Sequence, residues 1–267
     1  NIKSSELRHF SKKDVILQQR TQQDQKRVAM QKESVYSKNT TAGPLVSFII
    51  PDYNVSSGIL TECLDSIMSL SLSDKEREII LIDDGSAISP LESIAEYQDK
   101  IIYVRQRNQG AAAARNLGID IARGRYIQFL DADDKLITAP YEHCLDIIRY
   151  HDADMVLFNM STKDQDNATV QDFLYDGPVS GTEYMRHNNL KGVPWWYIFR
   201  RDMLGTLRFH NGLIVEDEEF TPQLLLRAEK IYTTKAEAYY YRQTPDSMTH
   251  KKGSRWTLKR LNDTVEV

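Results

Sequence analysis

Cysteine is scarce: the chain of 267 residues holds two, Cys63 and Cys144. They lie far apart within helical patterns, so no disulfide framework or zinc spacing exists, and both read as core thiols of a reducing compartment. No apolar run approaches the roughly 20 residues of a membrane-spanning helix, and no signal peptide is visible. The first residue is Asn1 rather than Met, which leaves room for a longer natural chain with an anchor elsewhere. Basic residues are not in excess: 34 Lys and Arg against 38 Asp and Glu give a net charge of −4, which offers no footprint for nucleic acid. The 12 glycines form neither a Gly-x-Gly-x-x-Gly after the first strand nor a Gly-x-x-x-x-Gly-Lys-Ser/Thr, which counts against a dehydrogenase and a P-loop ATPase. His9, His143, His151, His187 and His210 show no ligand spacing and read as structural or exposed.

Residues 1–43 are polar and poor in large apolar side chains. A helix over residues 13–32 fits, but its apolar face (Val15, Ile16, Leu17, Val28, Met30) is thin, so the segment reads as a peripheral helix or linker. From residue 44 strands and helices alternate: strands at 45–50, 78–82, 101–104 and 126–130, with helices at 59–70 and 110–122 between them. That rhythm gives right-handed crossovers and a mostly parallel, doubly wound sheet covered on both faces. In such sheets ligands bind outside the carboxyl ends of the strands. We therefore expect an α/β domain over residues 44–250, with a nucleotide-binding half (44–135), an acceptor half (136–250) and a tail (251–267).

The stretch Arg125-Tyr-Ile-Gln-Phe-Leu-Asp-Ala-Asp-Asp134 runs from a buried strand into three carboxylates, Asp131, Asp133 and Asp134. Clustered carboxylates repel one another unless a cation or a set of donors neutralises them. A hard divalent cation, Mg²⁺ or Mn²⁺, would suit them; so would a plain acidic loop capping the helix that follows. Two further polar clusters fall at strand ends, Tyr53-Asn54 and Asp83-Asp84, and three sites on one edge favour a ligand over solvated turns. Tyr53 can stack on a planar base and Asp84 can accept from a base N–H, while Gly85 supplies a tight turn. Base, diphosphate and metal together describe a nucleotide site.

Val46-Ser-Phe-Ile-Ile-Pro-Asp-Tyr-Asn54, Ile82-Asp-Asp-Gly-Ser86, Asn108-Gln-Gly-Ala-Ala-Ala-Ala-Arg-Asn-Leu-Gly118 and Gly124-Arg-Tyr-Ile-Gln-Phe-Leu-Asp-Ala-Asp-Asp134 resemble the successive signatures of family 2 glycosyltransferases with a GT-A fold. The resemblance resumes at Glu216-Asp-Glu-Glu-Phe220 and Tyr239-Tyr-Tyr-Arg242. It implies that Pro51 and Tyr53 line the base pocket, that Asp84 takes the base's imino hydrogen, and that Arg115 faces the donor. It also implies that Asp131 contacts the ribose or the metal, with Ala132 beside it in the nucleotide-sugar site. Asp133 would be the principal metal ligand and Asp134 would assist. Asp52 and Ala87-Ile88 depart from the family pattern and leave base or acceptor preference open.

In the second half, residues 155–159 read as a strand, 161 onward as a polar excursion with a hairpin near 170–174, and 191–199 as an aromatic strand. Trp195 and Trp196 would point to opposite faces of that strand, one into the core and one toward the acceptor. Glu216-Asp217 opens a helix, where acidic residues suit the helix dipole; the resemblance makes Asp217 the catalytic base and puts Glu216 on the acceptor side. Arg242 and His250 either reach the diphosphate or lie on the surface. Lys252 stands where processive synthases carry Gln, which speaks against processivity. The expected function is metal-assisted, inverting hexosyl or N-acetylhexosaminyl transfer from a nucleotide-diphosphate sugar, with UDP favoured, to a hydroxyl of a glycan or lipid-linked acceptor. Cell-envelope glycan synthesis would place it in the cytoplasm, at the inner face of the plasma membrane where the acceptor is lipid-linked. The alternatives are a nucleotidyltransferase, which would want a Gly-rich loop with Arg and Lys after the first strand, and a silent sugar-nucleotide-binding protein, against which intact Asp133 and Asp217 argue.

Overall fold

The computed structural model describes residues 43–164, 177–243 and 254–266. The helix expected over residues 13–32, the hairpin expected near 170–174, His250 and Lys252 lie outside the described residues. Strand β1 (Val46–Asp52) is buried throughout except for half-buried Pro51, as a central parallel strand requires. Helix α1 (Ser57–Met68) buries Leu60, Cys63, Leu64 and Ile67, a stripe of helical period. Strands β2 (Arg77–Asp83) and β3 (Ile101–Arg105) follow, then helix α2 (Ala111–Ile121) and strand β4 (Tyr126–Phe129). The small residues of α2 let it ride close on the sheet: a Cβ on Gly118 would sit 2.2 Å from Ile49 Cγ2.

The second half contributes strand β5 (Lys135–Leu136), helix α3 (Thr138–Tyr150), strand β6 (Met155–Ser161), helix α4 (Gly181–His187), strand β7 (Tyr197–Arg200), helix α5 (Glu216–Leu225), strand β8 (Ile231–Tyr240) and helix α6 (Ser254–Glu266). Among the described residues one eight-stranded sheet has the order β3-β2-β1-β4-β7-β6-β8-β5. The first four strands pair in parallel, as expected, so the ends of β1, β2 and β4 share one edge. Beyond β4 the sheet is mixed: β7 is antiparallel to β4 and β6, β8 is parallel to β6, and β5 is antiparallel to β8. Pairing of Leu136 with Tyr239 folds the end of β8 back over the acidic stretch. Cys63 and Cys144 are free and buried, each in a helix.

The aromatic stretch 191–199 differs from expectation. Pro194–Trp196 form a 3-10 turn and only Tyr197–Arg200 are a strand, because Pro194 supplies no N–H and its fixed φ starts a helical turn. Trp195 and Trp196 therefore do not alternate across a sheet, and both are buried. Trp195 stacks on Tyr239 with ring centroids 4.4 Å apart. Trp196 packs on Tyr184, and the Lys191 ammonium lies 5.3 Å from its ring centre. Between β4 and α5 a second aromatic group, Phe129, Phe199, Phe209 and Phe220, fills the core, with Phe209 and Phe220 stacked at 3.8 Å. Burying each such ring stabilises the fold by about 1.5–3 kcal/mol.

Candidate active site

The carboxyl ends of β1 and β2 are tied into one platform. Asn54, at φ 58°, donates its backbone N–H to Ser86 Oγ at 2.9 Å, and its Oδ1 accepts from Ala87 N at 2.7 Å. Tyr53 is left 53% exposed on this platform, free to stack. Gly85 has φ +80°, and a Cβ there would stand 2.8 Å from Asn108 N, so both conformation and space demand glycine. Asp52 is buried beneath and accepts from Val55 N; burial, with the Asp83 charge adding, pushes its carboxyl up to about 6.

Asp83 and Asp84 are both engaged by the protein. Asp83 accepts from Ser86 N at 2.7 Å and from the Tyr103 hydroxyl at 2.8 Å. Burial would raise its carboxyl, but these bonds outweigh it and hold the group below the ordinary value. Asp84, expected to read a base, takes three donors from the loop before α2: Gln106 Nε2 at 2.7 Å, Gln109 N at 2.9 Å and Gly110 N at 2.8 Å. A carboxylate offers about four acceptor positions, so Asp84 fastens this loop and keeps about one position for a ligand.

The acidic stretch after β4 divides in the same way. Asp134 is 1% exposed, and its two oxygens accept from the Tyr239 hydroxyl and from Arg242 N, each at 2.7 Å. Here the structure departs from the expected second metal ligand, since protein donors already satisfy Asp134 and bind the end of β8 to the loop. Burial, with the charges of Asp131 and Asp133 adding, pushes its carboxyl up to about 8. Arg242 also donates from Nε to Asp133 O at 2.9 Å and from Nη2 to Glu62 at 2.5 Å, so it braces the loop by its backbone. Ala132 is buried. Asp131 and Asp133 remain half-buried at the surface of the site, and burial followed by the Asp131 charge raises the Asp133 carboxyl. Among the described residues no group of three or more His, Cys, Asp or Glu could hold a metal ion. Two half-buried carboxylates, Asp133 and the oxygen of Asp131 that Arg115 leaves over, still fit a cation that shares its shell with substrate phosphates and water, as Mg²⁺ commonly does.

Arg115 joins this loop to the other half. Its guanidinium is almost wholly buried, with Nη2 2.9 Å from Asp131 Oδ1 and Nη1 3.0 Å from Glu216 Oε1. The cation also lies over the Phe209 ring, 5.6 Å from its centre. Arg115 therefore faces Asp131, and Glu216, expected on the acceptor side, is a buried ion-pair partner instead. The next residue, Asp217, is half-buried in the first turn of α5, where its Oδ1 accepts from its neighbour Glu218 N at 3.1 Å. Burial, and then the Glu216 charge, push its carboxyl up to about 7 against the pull of Arg115. A carboxylate poised near neutrality is suited to taking a proton. The sequence did not single out Gln106, Gln109, Asn116 or Glu62, which shape this edge through the loop and helix contacts.

The edge thus carries an exposed aromatic ring, Tyr53, and three half-buried carboxylates, Asp131, Asp133 and Asp217, the first of them paired with Arg115. The family model for glycosyl transferase family 2 matches residues 47–207. The chain belongs to glycosyltransferase family 2. Its fold is the GT-A fold of that family. EpsJ of Bacillus subtilis (strain 168), an uncharacterized glycosyltransferase, is 32% identical over 220 residues, 77% of this chain and 63% of that protein. The minor teichoic acid biosynthesis protein GgaB of the same organism is 29% identical over 224 residues, 79% of this chain and 25% of that protein. Residues 1–349 of Staphylococcus aureus TarS superpose with a TM-score of 0.63 at 25% identity, covering 75% of this chain and 61% of that one. The same segment in complex with UDP-GlcNAc gives 0.63 at 23% identity, covering 80% and 60%. The family 2 chain described here spans less than two thirds of these relatives. Among its described residues no helix is long and apolar enough to cross a membrane.

Proposed function

We propose that this family 2 chain transfers a sugar, with inversion, from a UDP-sugar to a hydroxyl of a cell-envelope glycan or its lipid-linked precursor. The observation that carries this reading is the Arg115 bridge, which ties Asp131 on the donor loop to the helix turn bearing Asp217. Tyr53 offers a stacking face for the base, and Asp84 retains an acceptor position beside it. Asp131 and Asp133 would hold Mn²⁺ or Mg²⁺ together with the donor phosphates, and the ion would offset the charge growing on the leaving diphosphate. Asp217 removes the proton from the acceptor hydroxyl as that oxygen attacks the anomeric carbon and the bond to the diphosphate oxygen breaks. One displacement inverts the anomeric centre, so no second carboxylate nucleophile is needed. TarS, whose segment was solved with UDP-GlcNAc, and GgaB, named for teichoic acid biosynthesis, support the donor class and the envelope setting.

Calorimetric titration of UDP with and without Mn²⁺, on the unaltered chain and on Asp133→Ala, tests the donor site. Binding that needs the metal and disappears with the substitution is expected. Metal-dependent binding of GDP or dTDP in place of UDP would move the base preference, and no binding by any of the three would overturn the site.

A further inference from the structure

Helix α6 lies beyond the span that the family model matches, residues 47–207. It is nevertheless fastened to the turn that carries the proton acceptor. Asp263 is 6% exposed while its neighbours at 258–262, 264 and 265 are exposed, and its Oδ2 accepts from Ile214 N at 2.8 Å. The same oxygen accepts from Lys259 Nζ at 2.7 Å, and Lys259 donates as well to Gly212 O at 2.9 Å. Gly212, at φ +91°, lets the chain turn there. Three residues after Ile214 comes Asp217. No N-cap side chain bonds to the start of α5, so the presentation of its first turn depends on contacts from other elements. Helix α2 holds the same segment as well: Asn116 Nδ2 donates to Phe209 O at 2.8 Å, Asn116 Oδ1 accepts from Phe209 N at 2.9 Å, and Arg115 pairs with Glu216. The segment from Phe209 to Asp217 is therefore clamped by both α2 and α6.

We propose that Asp263, assisted by Lys259, is a positioning residue for sugar transfer, which fixes the 212–214 turn and through it the place of the Asp217 carboxylate. This inference rests on the reading of Asp217 as the base. The bond to Ile214 N is charge-assisted, and the Lys259 ammonium keeps the carboxylate ionised: its hydrogen bond, the largest influence, holds the Asp263 carboxyl below the ordinary range. Displacing a catalytic group by about 1 Å can cost on the order of 10²-fold in rate, so loosening one of two clamps should cost roughly tenfold. The donor loop lies on the other side of Arg115 and should be untouched.

The test compares the unaltered chain with Asp263→Ala, Asp263→Asn and Lys259→Ala by two readouts. The first is hydrogen exchange at the amides of residues 212–217, which needs no substrate. Asp263→Ala should expose Ile214 N–H and speed exchange there, while Asp263→Asn, which keeps an acceptor oxygen, should lie between it and the unaltered chain. The second is UDP release from UDP-GlcNAc with Mn²⁺. Asp263→Ala should lower kcat about tenfold, with KM for the donor and calorimetric UDP affinity changed less than about twofold. Unchanged exchange at residues 212–217 in Asp263→Ala overturns the anchoring, whatever the activity. Faster exchange with an unchanged kcat overturns the positioning role, as does loss of UDP affinity in step with kcat, which marks general unfolding. A chain that binds no nucleotide and releases no UDP overturns instead the reading on which this rests, while the exchange arm still reports on the clamp.

Discussion

The carboxyl edge of the sheet carries acidic residues of two kinds. At the end of β2, Asp83 and Asp84 spend their oxygens on five protein donors, one from β3 and four from the loops around them. Across β1, at the end of β4 and the start of α5, Asp131 shares a single cation, and Asp133 and Asp217 meet no side-chain donor among the described bonds. Asp134, three residues from Asp131, belongs with the first kind because Tyr239 and Arg242 occupy it. A carboxylate whose oxygens are filled by protein donors mainly builds; one left half-buried with few donors keeps charge to offer a ligand or a proton. The division of labour at this edge thus follows from who supplies the hydrogen bonds, and acidic residues close in sequence can fall on opposite sides of it.

Substitutions at each kind of carboxylate should therefore fail differently. Asp217→Asn keeps size and removes the proton acceptor, and should lower UDP-sugar turnover by roughly 10²–10⁴ while calorimetric UDP binding stays as it was. A loss of UDP binding would move Asp217 from the open kind to the structural kind. Arg115→Met leaves Asp131 and Glu216 without their shared cation. Removing one partner of a buried pair costs about 3–5 kcal/mol, so thermal unfolding should shift down by roughly 10 °C, whereas an unshifted Tm would mean that solvent reaches the bridge. Asp84→Ala orphans two backbone N–H groups of the loop before α2 and should cost about 2 kcal/mol, read as a lower denaturant midpoint with weaker UDP binding. Asp84→Asn, which keeps acceptor oxygen, should recover part of it.

The parallel half was legible because its strands are continuous apolar runs that stop at polar clusters, so Val46–Asp52, Arg77–Asp83 and Tyr126–Phe129 lie where local pattern puts them. Strand β8 was not anticipated: Thr233, Thr234 and Lys235 interrupt any apolar run, and burial there comes from pairing with β6. Trp195 and Trp196 were assigned to a strand because aromatic residues suit one, and Pro194 imposed a tighter turn. The fate of individual carboxylates was hidden for a different reason. The donors that claim Asp134 come from Tyr239 and Arg242, and the cation that claims Glu216 is Arg115, all about a hundred residues away in sequence. Spacing along the chain reports which residues reach the sheet edge, but not which of them meet a donor after folding.

The gentlest way to probe the contrast is pH. The Asp217 carboxyl is pushed up to about 7 from an ordinary value of 3.8, chiefly by burial. A base must be ionised, so turnover should be half-maximal near pH 7, fall about tenfold per unit below it, and level off above. Stability should move the other way. Between about pH 4 and 7 the folded chain binds a proton at Asp217 that the unfolded chain has released, so this group favours the folded state as pH falls through that window and disfavours it above. Asp83, held below the ordinary carboxyl value by its donors, has the opposite sign: its stabilisation is present above the unfolded value and is lost as pH falls through the folded one. Comparing melting curves of the unaltered chain and Asp217→Asn from about pH 2.5 to 8 separates the two, because the Asp83 loss falls below about pH 4. The substitution should remove the gain on acidification between about pH 7 and 4 and leave the acid loss below about pH 4 in place; identical curves would mean that Asp217 is solvated and titrates like any surface carboxylate.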